Sequence, residues 1–328
     1  MGGYARRIER IWYSTDRPPW WLRALVPVYR VLRTLHVLPY RLGLRRAYRA
    51  PVPVVIVGNL TVGGSGKTPL VIALVEALRG AGFKPGVVSR GYGGNERGPV
   101  LLDAKSTPAQ CGDEPCLVFR RAGVPVVVAR DRAAAARRFA GCGVDVIVAD
   151  DGLQNPSLAR DVEICVIDGV RRCGNGALLP AGPLREPVSR LATVDFRVCH
   201  GDAPRDGEYP MRLVGDIAVA LDGSSRSRPL ADFAGERVHA VAGIGNPERF
   251  FSGLRARGID LVPHPFPDHH PFVAGDFAFA DSRPVLMTEK DAIKCEGFAD
   301  SRLWCVPVRA ELPDAYFAAV VARARAHS

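Results

Sequence analysis

The 328 residues suffice for one large domain or two moderate ones, and apolar and charged fractions of 47% and 24% predict a packed core and exclude a disordered chain. The net charge of +10 is local: residues 1–50 carry eleven Arg against Glu9 and Asp16, and the remainder is close to neutral, so one segment is built to meet phosphate on nucleic acid or on an anionic lipid surface. Eight Cys without a C-x-x-C pair or zinc spacing predict reduced core thiols, and neither a signal peptide nor a run of about 18 uncharged apolar residues is evident.

In chain order, the basic N-terminal segment also holds Trp12, Trp20, Trp21 and the tyrosines Tyr4, Tyr13, Tyr29, Tyr40 and Tyr48. On a helix over 20–41, Trp21, Ala24, Leu25, Val28, Leu32 and Leu35 share one face, and Arg23, Arg30, Arg33 and Arg41 lie opposite. Pro27 is expected to kink or restart it. Aromatics interleaved with Arg favour a helix lying in a membrane interface over one packed on a core.

From residue 51, short β-branched runs alternate with amphipathic segments. PVPVVIVGNL reads as a strand, TPLVIALVEALRGAG as a helix, and KPGVVSRGYGG as a strand entering a Gly-rich loop. EPCLVFRRAG and DRAAAARRFAGCG read as helices, and VPVVVAR, VDVIVADDG and VEICVIDG as strands. This alternation predicts an α/β fold with a doubly wound, mostly parallel sheet. Residues 200–237 are polar and rich in Gly, Pro and Ser, and read as a linker. A smaller α/β unit follows, closed by a helix over 311–327. The expected organisation is a basic aromatic helix at 1–50, a core at 51–213 and a C-terminal domain at 214–328.

The strongest motif runs from Val57 to Thr68, between a strand and a helix, and ends Gly63-Gly64-Ser65-Gly66-Lys67-Thr68. Glycines let backbone N–H groups wrap a phosphate chain, Lys67 neutralises it, and Thr68 ligands Mg²⁺. This is a P-loop, with Thr61 in place of the usual first Gly and Val62 where partitioning-type ATPases carry Lys. At 144–155 an apolar strand delivers Asp150 and Asp151 to its C-terminal end, where open α/β sheets bind ligands and a Walker-B acid belongs. Gly112-Asp113-Glu114-Pro115 is open between a helix cap and a site. The His269-His270 pair in FPDHH is open between a turn, a metal ligand and a catalytic imidazole. Arg90 in SRGYGG and Arg185 in LPAGPLREP are candidates for a phosphate clamp. Thr288-Glu289-Lys290-Asp291 reads most simply as surface ion pairing.

Taken in order, GNLTVGGSGKTP, SRGYGG, GDEP, ARDR, ADDGLQ, LPAGPLREP, FPDHHPF and MTEKDAIK resemble the tetraacyldisaccharide 4'-kinase family over roughly residues 50–295. Leu153 stands where that family often has Phe. The resemblance implies a P-loop NTPase-like kinase with a second, smaller α/β domain, peripheral on the cytoplasmic face of the bacterial inner membrane. It would use ATP and Mg²⁺ to phosphorylate the 4'-hydroxyl of an acidic glycolipid, a tetraacylated glucosamine disaccharide 1-phosphate. It would meet an anionic lipid surface, and neither nucleic acid nor an obligate protein partner. An Asp–His pair activates the acceptor in that family and maps to Asp113 and His269, acting with Lys67. Thr68, Glu114, Asp150, Asp151 and Gln154 would line the metal, and Asn59, Arg90, Arg132, Arg185 and Glu186 the substrate and phosphate side. The competing reading is a membrane-associated partitioning-type ATPase that acts as a switch.

Overall fold

A computed structural model describes residues 2–14, 16–96, 98–201, 203–224, 226–298 and 300–328. Side chains are described from Arg7 onward, so those of Tyr4 and Arg6 lie outside the described set.

Two helices open the chain, α1 (Gly2–Tyr13) and α2 (Trp20–Arg41). α2 includes Pro27 and Pro39 and does not restart at either. It touches the body through one narrow stripe. Leu22 is buried, and Val26 and Tyr29 pack on the core beneath. The Tyr29 hydroxyl donates to the Arg185 carbonyl at 2.8 Å, and Arg33 pairs with Glu186. The apolar face predicted for this helix points away: Trp21, Leu25, Val28, Leu32 and Leu35 are between 41% and 62% exposed. Among the described residues, no helix is long and apolar enough to cross a membrane.

Strands and helices then alternate as β1 (Val54–Gly58), α3 (Lys67–Gly80), β2 (Pro85–Ser89), β3 (Val100–Leu101), α4 (Pro108–Cys111), α5 (Asp113–Ala122), β4 (Val126–Val128), α6 (Arg132–Arg137), β5 (Val146–Asp150), β6 (Val162–Asp168), β7 (Phe196–His200) and β8 (Glu208–Val214). With β15 (Arg309–Glu311) they form a nine-stranded sheet ordered β15-β8-β7-β6-β1-β5-β2-β4-β3. Only the edge pairings, β3 with β4 and β15 with β8, are antiparallel. β1 is buried on both faces, as a central parallel strand must be. Val55 and Val57 enter one core, Val54 and Ile56 the other. After β1 the chain builds outward on the β5 side and returns through β6 on the other, so a crevice opens at the carboxyl end of β1.

A second sheet, ordered β10-β9-β14-β13-β11-β12, comprises β9 (Ile217–Ala220), β10 (Ser227–Pro229), β11 (Arg237–Ala242), β12 (Asp260–Pro265), β13 (Val285–Thr288) and β14 (Leu303–Val306). Helices α7 (Pro247–Arg255) and α8 (Glu289–Ala292) follow β11 and β13. The segment read as a linker instead carries three strands: residues 200–237 hold β8, β9 and β10. Their polar composition reflects half-exposed positions near sheet edges, where charge also discourages further pairing. The chain crosses between sheets at Gly215–Asp216.

It then crosses back. β15 rejoins β8, and α9 (Asp314–Arg325) packs Tyr316, Val320 and Ala324 into the core of the first sheet. The predicted terminal helix therefore begins three residues later than expected, because a residue before Pro313 is driven to extended backbone. Tyr316 is fully buried, edge-on to Phe196 at 5.9 Å between ring centroids and 5.2 Å from Tyr209. Its hydroxyl has no hydrogen-bond partner among the described residues. Truncation and isosteric replacement should therefore diverge. Tyr316→Ala should lower unfolding free energy by about 3–5 kcal/mol, while Tyr316→Phe should leave it equal or higher. Urea titration measures both, and equal losses would refute the packing described for α9.

Candidate active site

The carboxyl edges of both sheets face one cleft of about 2370 Å³, which extends to Tyr29, Arg33, His36 and Arg41 of α2. Its floor is the loop between β1 and α3. Gly66 has φ 89°, a left-handed conformation that favours glycine, and Lys67 opens the helix. The Lys67 ammonium lies 3.3 Å from Asn59 Oδ1 and 3.4 Å from Asp151 Oδ1. Asn59, fully buried, also reaches the Gly63 carbonyl at 3.4 Å. Expected at the phosphate, it braces the loop from beneath. Leu153 packs so closely over Gly58 that a Cβ there would meet its Cγ at 2.7 Å, so any side chain at this strand end would displace Leu153.

Register brings the acids alongside. β1 pairs with β5 so that Val57 stands opposite Asp150. Asp150 is 2% exposed and its Oδ1 has no partner among the described residues. Burial, with Glu114 close by, pushes it up to about 7 against the pull of Lys67. Asp151 has φ 50°, outside the usual range for a residue with a Cβ. Burial would raise its pKa, but Lys67 and Arg185 outweigh that and hold it well below the usual carboxylate range. Arg185 donates to both its oxygens, at 3.0 and 2.9 Å.

The remaining predicted residues surround these. Gln154 donates to the Asn59 carbonyl at 3.0 Å and to Glu186 at 3.1 Å. Glu186, 4% exposed, joins this network to Arg33 of α2. Arg132, 2% exposed, donates to the carbonyls of Asp150 at 2.7 Å and Asp151 at 3.3 Å, so it supports the acids through their backbone. Arg90 is exposed on the cleft wall, and Thr68 borders the cleft beside Lys67. No group of three or more His, Cys, Asp or Glu among the described residues is arranged to hold a metal alone. Mg²⁺ commonly takes one or two carboxylates together with phosphate oxygens. The unpartnered, buried Asp150 oxygen and the Thr68 hydroxyl fit that donor set.

The second unit closes the site from above. Gly245, after β11, lies so near that a Cβ on it would meet the Gly64 nitrogen at 2.9 Å. His269, in the loop after β12, has φ 59° and places Nδ1 3.0 Å from both Asp113 oxygens, at the start of α5. Asp113 is 4% exposed, and His269 lines the cleft in front of it. Burial disfavours both charges, yet their hydrogen bond prevails: His269 is raised and Asp113 lowered. Tyr92 of the SRGYGG loop sits beside the imidazole, ring centroids 4.8 Å apart.

Two sets of residues escaped the sequence reading. Lys290, taken for surface ion pairing, is a half-enclosed hub. Its ammonium lies 3.0 Å from Glu114, 3.3 Å from Asp268 and 3.4 Å from His269 Nε2. The acids Glu114, Asp113 and Asp268 raise its pKa despite burial. The other set is Asp168, His200 and Arg249 beside the P-loop. The TEKD block itself was the only signal for Lys290. A lone His at a strand end offered none.

The sequence profile for Tetraacyldisaccharide-1-P 4'-kinase matches residues 18–325. A tetraacyldisaccharide 4'-kinase of Stenotrophomonas maltophilia is 51% identical over 333 residues, covering 98% of each chain. One from Xanthomonas euvesicatoria is 53% identical over 336 residues, covering 98% of this chain and 97% of that protein. The crystal structure of LpxK from Aquifex aeolicus in complex with ATP matches with a TM-score of 0.74 and 27% identity, over 92% of this chain and 98% of that one. The match runs over nearly the whole chain, from before the P-loop to past the loop carrying His269, and on it the chain belongs to the tetraacyldisaccharide-1-P 4'-kinase family.

Proposed function

We propose that this chain transfers the γ-phosphoryl group of ATP to the 4'-hydroxyl of a tetraacylated glucosamine disaccharide 1-phosphate, at the cytoplasmic face of a bacterial inner membrane. One observation carries the mechanism: Asp113 and His269, from separate sheet units, meet at 3.0 Å above the loop that carries Lys67. Phosphoryl transfer needs charge neutralisation and an in-line acceptor more than covalent chemistry.

The backbone of Gly63–Gly66 cradles the phosphates, and Lys67 leaves Asp151 to neutralise them. Asp150 and Thr68 would hold Mg²⁺, with Asp151, Glu114 and Gln154 near enough to assist, and the ion would screen the phosphate charge. His269 presents Nε2 to the cleft. Asp113, behind it, holds the Nδ1 proton and so fixes the tautomer that can accept a proton from the acceptor hydroxyl. Lys290, beside Nε2 and Glu114, places a cation where phosphate charge gathers. Arg185 leaves Asp151 for the phosphates when substrate anions enter, and Arg90 lines the same cleft.

α2 brings the enzyme to its substrate. An acceptor with four acyl chains leaves a bilayer only at high cost, so the site must come to the surface. The exposed apolar stripe of α2 and its flanking Arg residues suit that interface, while Tyr29 and Arg33 tie the same helix to Arg185 and Glu186.

Three outcomes test this reading. With γ-labelled ATP and the detergent-dispersed disaccharide, His269→Gln and Asp113→Asn should each lower turnover roughly 10²–10⁴-fold and leave nucleotide affinity within about 2-fold. Full turnover in either variant would overturn the proposed roles. The pair should also govern stability. Its Asp113 part is complete above pH 3.8 and lost as pH falls through the lower folded value; its His269 part is complete below 6.5 and lost as pH rises through the higher folded value. The gap in melting temperature between the wild type and His269→Gln should thus be largest near about pH 5 and narrow as pH rises through the raised His269 value, and a gap widening with pH contradicts the pair. Finally, Leu32→Ser with Leu35→Ser leaves Tyr29 and Arg33 in place. It should weaken binding to anionic vesicles and reduce turnover there roughly 10-fold, while detergent-based turnover stays within about 2-fold. Equal losses in both assays would remove the membrane role.

A further inference from the structure

His200 ends β7 against the last turn of the P-loop. A Cβ on Gly66 would meet its Nδ1 at 2.7 Å. The same nitrogen lies 3.1 Å from the Ser65 carbonyl oxygen and 2.9 Å from Nη1 of Arg249. These neighbours make opposite demands. A carbonyl needs a donor, and a guanidinium offers only donors. Burial, then Arg249, pulls His200 down to about 4, so the ring is neutral near pH 7. A neutral imidazole donates from one nitrogen and accepts at the other. While Nη1 addresses Nδ1, the proton sits on Nε2 and the ring donates nothing to the Ser65 carbonyl.

Arg249 belongs to α7 of the other sheet unit and lines the same cleft as Lys67. Its Nη2 is tethered to Asp168 at 2.8 Å. Asp168 is 4% exposed and accepts the Val170 and Arg171 N–H groups at 3.0 Å, so this anchor stays put. Nη1 is the mobile end, and an anionic phosphate is a stronger acceptor for it than a neutral imidazole.

We propose that His200 is a positioning residue that latches the phosphate-binding loop, and that Arg249 keeps the latch open until a nucleotide phosphate draws Nη1 away. The ring proton then moves from Nε2 to Nδ1 by exchange with water, and Nδ1–H donates to the Ser65 carbonyl. A trans peptide directs its C=O and N–H oppositely. Fixing the Ser65 carbonyl on His200 therefore fixes the Gly66 N–H on the other side, where such loops hold their anion. Because Arg249 comes from the second unit, the latch also makes the loop sensitive to where that unit stands. The inference rests on the nucleotide reading of the loop.

The test uses full-length protein with ¹⁵N-labelled histidine and a non-hydrolysable ATP analogue with Mg²⁺. Without analogue, wild-type His200 should carry its proton on Nε2; with it, on Nδ1. Arg249→Met should show Nδ1–H in both conditions. His200→Phe should weaken analogue binding roughly 10-fold, and His200→Asn, whose amide can donate to the Ser65 carbonyl, should restore it to within about 3-fold. The KM for the lipid acceptor should stay within about 2-fold in both His200 variants. An unchanged tautomer in the wild type overturns the latch whether or not the variants fold. So does full-strength binding by His200→Phe. Failure of the wild type to bind the analogue would instead remove the nucleotide reading itself.

Discussion

Backbone close to phosphate is the constraint on which this molecule turns. A loop that offers N–H groups to an anion can carry almost no side chains, and its last residue must adopt a conformation that glycine alone enters freely. Gly66 meets that condition at φ 89°, with His200 pressed against it from behind. Gly58 meets a related one, because Leu153 occupies the space above it. β1 supplies the rigid base: buried on both faces, central in the sheet, and ending where the strand order reverses.

Charge balance is the second constraint. Around the cleft gather Asp113, Asp150 and Glu186, which are buried, and Asp151 and Glu114, which are partly so; a buried charge would be costly alone. All but Asp150 have a partner: Asp113 the His269 imidazole, and the others the cations Lys67 with Arg185, Lys290, and Arg33. One Asp150 oxygen has no partner among the described residues, and burial with Glu114 nearby pushes this carboxyl up to about 7. Two of the residues held at positive φ, Asp151 and His269, stand at this balance, so backbone strain is concentrated beside the charges.

The two sheet units are interlaced. β15 and α9 return to the first sheet after the second is complete, so the second unit is tied at both ends. Arg121 meets Glu289 beside α8, Arg249 meets Asp168, and Gly245 lies over Gly64. α2 belongs to the same assembly through Glu186. Membrane-facing helix, acceptor-side imidazole and phosphate loop are therefore linked through a few direct contacts.

Sequence alone determined what depends on neighbours along the chain. The P-loop, the strand delivering Asp150 and Asp151, the alternating α/β pattern and the amphipathic stripe of α2 all follow from local spacing and periodicity. The ordered motifs carry the family resemblance. Tertiary structure decided what depends on approach from a distance. That Lys290 is a hub and not a surface pair, that Arg132 braces carbonyls, that residues 200–237 carry three strands, and that His200 shares one nitrogen between Ser65 and Arg249 are all set by segments distant in sequence. Periodicity reports which face of a segment is apolar. It carries no record of which other segment will be packed against that face, and that choice places the partners of every buried charge.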